Sequence, residues 1–148
     1  MASAAFVKGS VDAWSIWDPY LALAELKENA HVLVFDKDVH KPNAYYIANT
    51  DFVEKYPSVV AKLNTTFASE GKWAEAHHED VAKAQSDATG VDIEAVRRFV
   101  NRSTYSVVPL DPDVIKTQQA VADRFAKLGL IPKPVNVSDI VWKWTPGS

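Results

Sequence analysis

Between Gly9 and Glu25 the chain reads Gly9-Ser-Val-Asp-Ala-Trp-Ser-Ile-Trp-Asp-Pro-Tyr20 and then Leu-Ala-Leu-Ala-Glu25, an apolar stretch running straight into a helix start. Val11 to Trp17 is rich in β-branched and aromatic residues, which favour a strand, whereas Asp18 can accept from the orphan amides of a helix and Pro19 suits its first position. A strand feeding directly into a helix points to an α/β architecture. It also places Trp17 and Asp18 at the carboxyl end of the strand, the ordinary location of a binding crevice in open α/β sheets.

Helices dominate the rest of the reading. Asp18 to Asn29 reads as a helix with apolar positions Leu21, Leu23, Ala24 and Leu26, and His31 to Phe35 follows as a strand. Asp36 to Asn43 is polar, contains Pro42 and reads as a loop, with a further strand over Ala44–Ala48. Thr50 or Asp51 can cap a short helix through Tyr56. Pro57 opens a longer one with Val59, Val60, Leu63 and Phe67 at helical spacing. Gly71 weakens that helix, and Trp73 to Ala88 continues it until Gly90. Asp92 caps Ile93–Asn101, whose expected buried face is Ile93, Val96, Phe99 and Val100. Tyr105 to Leu110 is extended. Asp111-Pro112 repeats the cap-and-proline device ahead of a helix that stops at Gly129, and Ser138 is expected to cap a last turn.

Several segments, taken in order, carry a family resemblance: Gly9 to Glu25, Tyr45-Tyr-Ile-Ala-Asn49 with Phe52-Val-Glu-Lys-Tyr-Pro57, Gln118-Gln-Ala-Val-Ala-Asp123, Gly129-Leu-Ile-Pro132 and Asp139-Ile-Val-Trp142. In this order and spacing the chain resembles the solute-binding proteins of ABC importers for aliphatic sulfonates, whose superfamily includes taurine, nitrate and thiamin-precursor binders. The resemblance implies the C-terminal half of a type II periplasmic-binding-protein fold, helix-rich around a few strands. Family members are two-lobed and about twice this length, and Met1 to Lys8 reads as the end of an upstream helix. Residues 1–43 would end the second lobe and residues 44–148 would return to the first lobe and add the C-terminal helices, with the family's upstream half absent. The implied role is non-catalytic and needs no cofactor: closing a crevice over a sulfonate and presenting the closed form to a membrane permease. The implied location is the periplasm. Met1 to Val7 lacks the charged start and long apolar core of a secretory leader, so a chain made in this form is expected to stay in the cytoplasm.

The 148 residues, 47% of them hydrophobic, are enough for one globular core. Half of a bilobal protein would nevertheless leave apolar surface uncovered, so self-association into a homo-oligomer is expected. A net charge of −3 with no Lys/Arg block argues against nucleic acid, and the lack of cysteine excludes disulfides, thiol nucleophiles and thiolate metal sites.

A sulfonate offers three acceptor oxygens on a permanent anion, so its site needs converging N–H or O–H donors and an apolar wall for the organic tail. Trp14 and Trp17 can supply an indole donor and a broad face, although Trp14 equally suits the core. Asp18 suits an anion poorly by charge and reads first as a helix cap. Tyr45 and Tyr46 alternate along a strand, so only one can face the crevice, and Tyr46 is the expected one. The candidate ligand residues are therefore Trp14, Trp17, Asp18 and Tyr46, in a site expected to be incomplete without an upstream half. His77 and His78, with Glu75, Glu79 and Asp80, fall on a predicted helix, but adjacent imidazoles point about 100° apart and match no zinc pattern. No metal site is expected. Taurine, nitrate or a thiamin pyrimidine precursor as ligand, or a self-assembling fragment with no ligand, stand as alternatives.

Overall fold

The computed structural model describes residues 2–35, 38 and 43–145. Along them lie α1 (Ala2–Val7), α2 (Tyr20–Lys27), α3 (Thr50–Lys55), α4 (Pro57–Ala76), α5 (His78–Thr89), α6 (Ile93–Arg102), α7 (Pro112–Lys127) and a 3-10 turn at Val137–Ile140. Side-chain caps set several of the starts. The Asp92 side chain accepts from the Glu94 N–H at 3.0 Å ahead of α6, and Asp111 accepts from the Val114 N–H at 2.8 Å ahead of α7. Pro112 sits in the first turn of α7, where its missing N–H leaves no intrahelical bond unmade. Two caps differ from expectation by a residue or two. Asn49 caps α3 through the Asp51 N–H at 2.9 Å, and Asn136, not Ser138, caps the 3-10 turn. In both places asparagine stands two residues before a free amide, within reach of its short side chain.

The helix expected to weaken at Gly71 does not break there. Gly71 is buried inside α4, and the interruption comes at His77, between α4 and α5. A single glycine costs a helix interior only about 1 kcal/mol relative to alanine, which packing readily outweighs. α5 ends where Gly90 adopts φ 71°, a left-handed conformation that favours glycine.

Among the described residues no strand forms. Val11–Trp17, His31–Phe35, Ala44–Ala48 and Tyr105–Leu110 were all expected as strands or extended segments, and each runs without a ladder. The reason is physical: β-propensity shapes a segment, but a ladder requires the N–H and C=O groups of a second strand alongside. The loop expected over Asp36–Asn43 falls mostly outside the described residues.

Two compact units interleave along the sequence, Met1–Lys41 with Glu70–Ser106, and Pro42–Ser69 with Val107–Ser148. In the first, α6 packs against both α5 and α2. Its apolar stripe puts Val96 and Val100, 1% and 0% exposed, against Ala82 of α5, with Val81, Val91, Ile93 and Tyr105 around them. Of the face expected for α6, Ile93 and Phe99 are only half-buried. α2 buries Ala22 and Ala24, whereas Leu21 and Leu23 are half-buried and Leu26 is exposed. In the second unit the 3-10 turn packs on α7. There Gln119 bridges two backbone groups, donating from Nε2 to the Val135 carbonyl and accepting at Oε1 from the Val137 N–H, both at 2.8 Å. Val137 is the buried residue this clasp fixes.

Candidate functional site

Trp17 and Asp18 lie at the entry to α2, in the first unit. Helix geometry begins at Tyr20, one residue later than a proline at the first helical position would give, and Pro19 takes the capping position after a cis Asp18–Pro19 bond. The Trp17 and Pro19 carbonyls already accept helical bonds, from Leu21 at 3.1 Å and Leu23 at 3.0 Å. Asp18 Oδ1 accepts from the Ala22 N–H at 3.0 Å, a bond that ties the carboxylate to the first turn. This is capping by side chain, from one residue further out than a conventional N-cap. The Trp17 ring is 74% exposed beside it. Trp14 is half-buried, its ring 6.1 Å from that of Phe6 on α1.

Arg102, which the sequence reading did not single out, closes this corner. Its guanidinium lies 3.5 Å from Asp18 Oδ2 and donates through Nη2 to Glu25 of α2, while Arg98 stands 3.9 Å from the same Glu25 carboxylate. The guanidinium also sits over the Phe35 ring, 5.6 Å from its centroid. Both oxygens of Asp18 are thus engaged by the protein itself, and the Asp18, Glu25 and Arg102 side chains are 13%, 18% and 23% exposed. A signal existed: Arg98 and Arg102 are four apart on α6, hence on one face. That this face meets α2 is a tertiary fact.

A second charged set flanks α5 and α6. Arg97 forks onto Glu79 and also reaches Glu94. The hydrogen bond from Arg97 holds the Glu79 carboxyl below its ordinary range, and the two carboxylates push Arg97 still higher. The Asp92 carboxyl is lowered chiefly by the Glu94 amide it caps, and burial raises the Tyr105 phenol. The histidines go separate ways. His77 lies just before α5, not on a helix with His78, and stacks on Trp73 at 4.6 Å with Nδ1 2.7 Å from the Trp73 carbonyl. His78 Nδ1 meets Asn101 Oδ1 at 3.0 Å, with Nε2 3.9 Å from Glu75.

In the second unit Tyr46 is exposed and its ring stacks on Phe67 of α4, 4.4 Å between centroids and 14° from parallel. An open groove of about 520 Å³ lies along the start of α4, between Ser58, Lys62 and Thr65 on one side and Trp142 and Lys143 on the other. Its two ammonium groups, hydroxyls and indole are of the kinds an anion with an apolar body requires, but the groove is open, not enclosed.

No family model matches the chain. In sequence it is 32% identical over 142 residues to a Bacillus subtilis (strain 168) protein named for binding aliphatic sulfonates, and 28% identical over 145 residues to an Escherichia coli (strain K12) protein of the same name. These matches cover 95% and 97% of this chain. Its backbone superposes on the crystal structure of the periplasmic aliphatic sulphonate binding protein SsuA from Escherichia coli with a TM-score of 0.88 over 99% of the chain, at 27% identity. The chain is homologous to the aliphatic sulfonate-binding proteins. It spans about half the length of these relatives, 42% and 46% of the two sequences and 48% of the SsuA structure. The alkanesulfonate-binding protein SsuA from Xanthomonas axonopodis pv. citri, bound to MOPS, superposes with a TM-score of 0.80 at 30% identity, covering 95% of this chain and 49% of that one. The architecture expected from the sequence is therefore present: a helix-rich half of a type II periplasmic-binding-protein fold.

Proposed function

We propose that this chain supplies the C-terminal half of a solute-binding component that holds a sulfonate-type anion for an ABC importer in the periplasm. The observation that carries the reading is agreement over nearly the whole chain, in sequence and in backbone path, with proteins named for binding aliphatic sulfonates. Residues 1–43 then end the second lobe and the chain returns to the first at Ala44. In this reading α5 and α6, which belong to the same compact unit as α2, go with the second lobe.

Within this reading Trp17 lines the crevice, offering an exposed indole N–H and a face for an alkyl or aryl tail, and Tyr46 contributes a hydroxyl donor. Asp18 serves as the cap that fixes the Trp17 backbone, because its oxygens are occupied by Ala22 and Arg102. Trp14 supports the junction by packing on Phe6. Among the described residues Trp17 and Tyr46 supply fewer donors than a three-oxygen anion accepts, and in this reading other parts of the fold complete the site. Ligand closure needs contacts that differ between open and closed arrangements of two lobes. No step in this role calls for chemistry on the ligand, and the protein acts as a carrier, not an enzyme.

Calorimetry against MOPS, ethanesulfonate, taurine and nitrate tests the reading. The chain combined with the unmatched half of the Escherichia coli relative is expected to release heat with the sulfonates and not with nitrate. Binding of nitrate alone would transfer the function to a different ligand class. The exposed apolar side chains favour one competing reading, a self-assembling module with no ligand. Absence of heat with every anion, in a chain that forms a stable oligomer by itself, would establish it.

A further inference from the structure

We propose that Arg102 determines the charge selectivity of the Trp17 corner: its guanidinium cancels the Asp18 carboxylate next to the exposed indole, so that the ring is open to anions that Asp18 alone would repel. The inference rests on the reading of Trp17 as part of a sulfonate site for the ligand that profits, whereas the charge at the ring is a property of the chain alone. Trp17, Asp18, Glu25, Phe35, Arg98 and Arg102 all belong to one compact unit.

The problem that Arg102 solves is set by Asp18. Capping uses one oxygen, Oδ1, which accepts from the Ala22 N–H at 3.0 Å, and a neutral asparagine caps a helix about as well. The negative charge is therefore surplus to capping, and it sits one residue from Trp17, whose Cα is about 3.8 Å from that of Asp18. A carboxylate so close raises the cost of bringing any anion to the ring, because charges are felt over about 10 Å at 0.1 M salt.

Arg102 is held where it can offset that charge. Nη1 stands 3.5 Å from Asp18 Oδ2, Nη2 donates to Glu25, and the guanidinium lies over the Phe35 ring. Asp18 and Glu25 are seven positions apart, about two helical turns, so one fork spans the face of α2 and is fixed from three sides. Arg98, 45% exposed and 3.9 Å from Glu25, is a more solvated pair and so the weaker one. Two carboxylates against two guanidiniums leave the corner without net charge, and Arg102 is the member that faces Asp18. A buried ion pair is weak evidence of a purely stabilising role, since apolar side chains of similar volume often serve stability as well.

The test reads the charge at Trp17 in the chain as it stands, by quenching its fluorescence with iodide, caesium and neutral acrylamide at a constant ionic strength of about 0.1 M. Each variant is measured with and without Trp17→Phe, so that the difference belongs to Trp17. Arg102→Gln is expected to lower the iodide-to-caesium quenching ratio about twofold, and Arg102→Lys, which keeps the charge, to leave it near the parent's. Asp18→Asn, which keeps a capping oxygen, is expected to raise the ratio by a similar factor. Mere loosening of the corner would increase quenching by all three reagents and would shift both variants the same way. The inference is overturned if Arg102→Gln leaves the ratio unchanged, if Arg102→Lys behaves as Arg102→Gln does, or if Asp18→Asn fails to raise it. Should Arg102→Gln lose its helical circular dichroism, the Asp18→Asn and Arg102→Lys results decide. No sulfonate enters the measurement, so failure here and failure of the sulfonate reading are separately visible.

Discussion

At Trp17 a large ring faces solvent while its own carbonyl is spent on the first turn of α2. Truncating an exposed side chain usually changes stability by no more than about 0.5 kcal/mol, so Trp17→Ala is expected to leave the urea midpoint of the chain nearly unchanged. In a complex that binds MOPS, the same change is expected to weaken binding about tenfold by calorimetry, because an aromatic wall and a donor vanish together. Equal binding by the variant would remove Trp17 from the site. Gly90 is a different kind of residue, committed by its φ of 71° with no atom within 4 Å of where a Cβ would stand. Gly90→Ala is accordingly expected to cost about 1 kcal/mol through backbone conformation alone, measured by urea unfolding. His77→Ala with His78→Ala should leave ligand binding intact, since one imidazole stacks on Trp73 and the other bonds Asn101. A loss of binding restored by zinc would revive a metal role.

Among the elements, α6 does most to hold the first unit together, with α5 on one side and α2 on the other. Its contact with α2 includes the Arg102 guanidinium between two largely buried carboxylates, Asp18 and Glu25. Arg102→Ala leaves both without their main cation, and after allowance for partial exposure the expected loss is about 2 kcal/mol in urea unfolding. The α5–α6 pair has a pH signature instead. The carboxyl of Glu79 sits below its ordinary value of 4.5 because Arg97 donates to it. A folded-state value lowered in this way stabilises the protein fully above the unfolded value and loses that contribution as pH falls through the folded one. Unfolding midpoints followed from neutral pH to about pH 3 should therefore fall, and Arg97→Gln should flatten the fall.

For the molecule as a whole, the enclosed side chains among the described residues are small while many large apolar ones stand in solvent. Val96 and Val100 are the largest fully enclosed side chains, and Val100→Ala should cost about 2 kcal/mol by lost transfer energy and the void it leaves. Each unit has its own small core, with Val137 and the Gln119 clasp as the counterpart in the second. Neither encloses the aromatic residues that the composition supplies. The two candidate aromatic residues Trp17 and Tyr46 belong to different units, and each is exposed.

The sequence by itself determined the helices and most of their ends, because caps, prolines and a left-handed glycine act within a few residues of where they stand. Asp92, Asp111, Pro112 and Gly90 needed no knowledge of the fold. It also carried the family resemblance, through segments whose order survives at 32% and 28% identity. What only the tertiary structure decided was pairing at a distance. Arg102 is 84 positions from Asp18, and nothing local to either residue announces that α6 will bring them together. The strands failed for the same reason in reverse. Their propensity was legible in Val32 to Val34 and Tyr45 to Ile47, but a β-ladder is a property of two segments, and no neighbour among the described residues completes it.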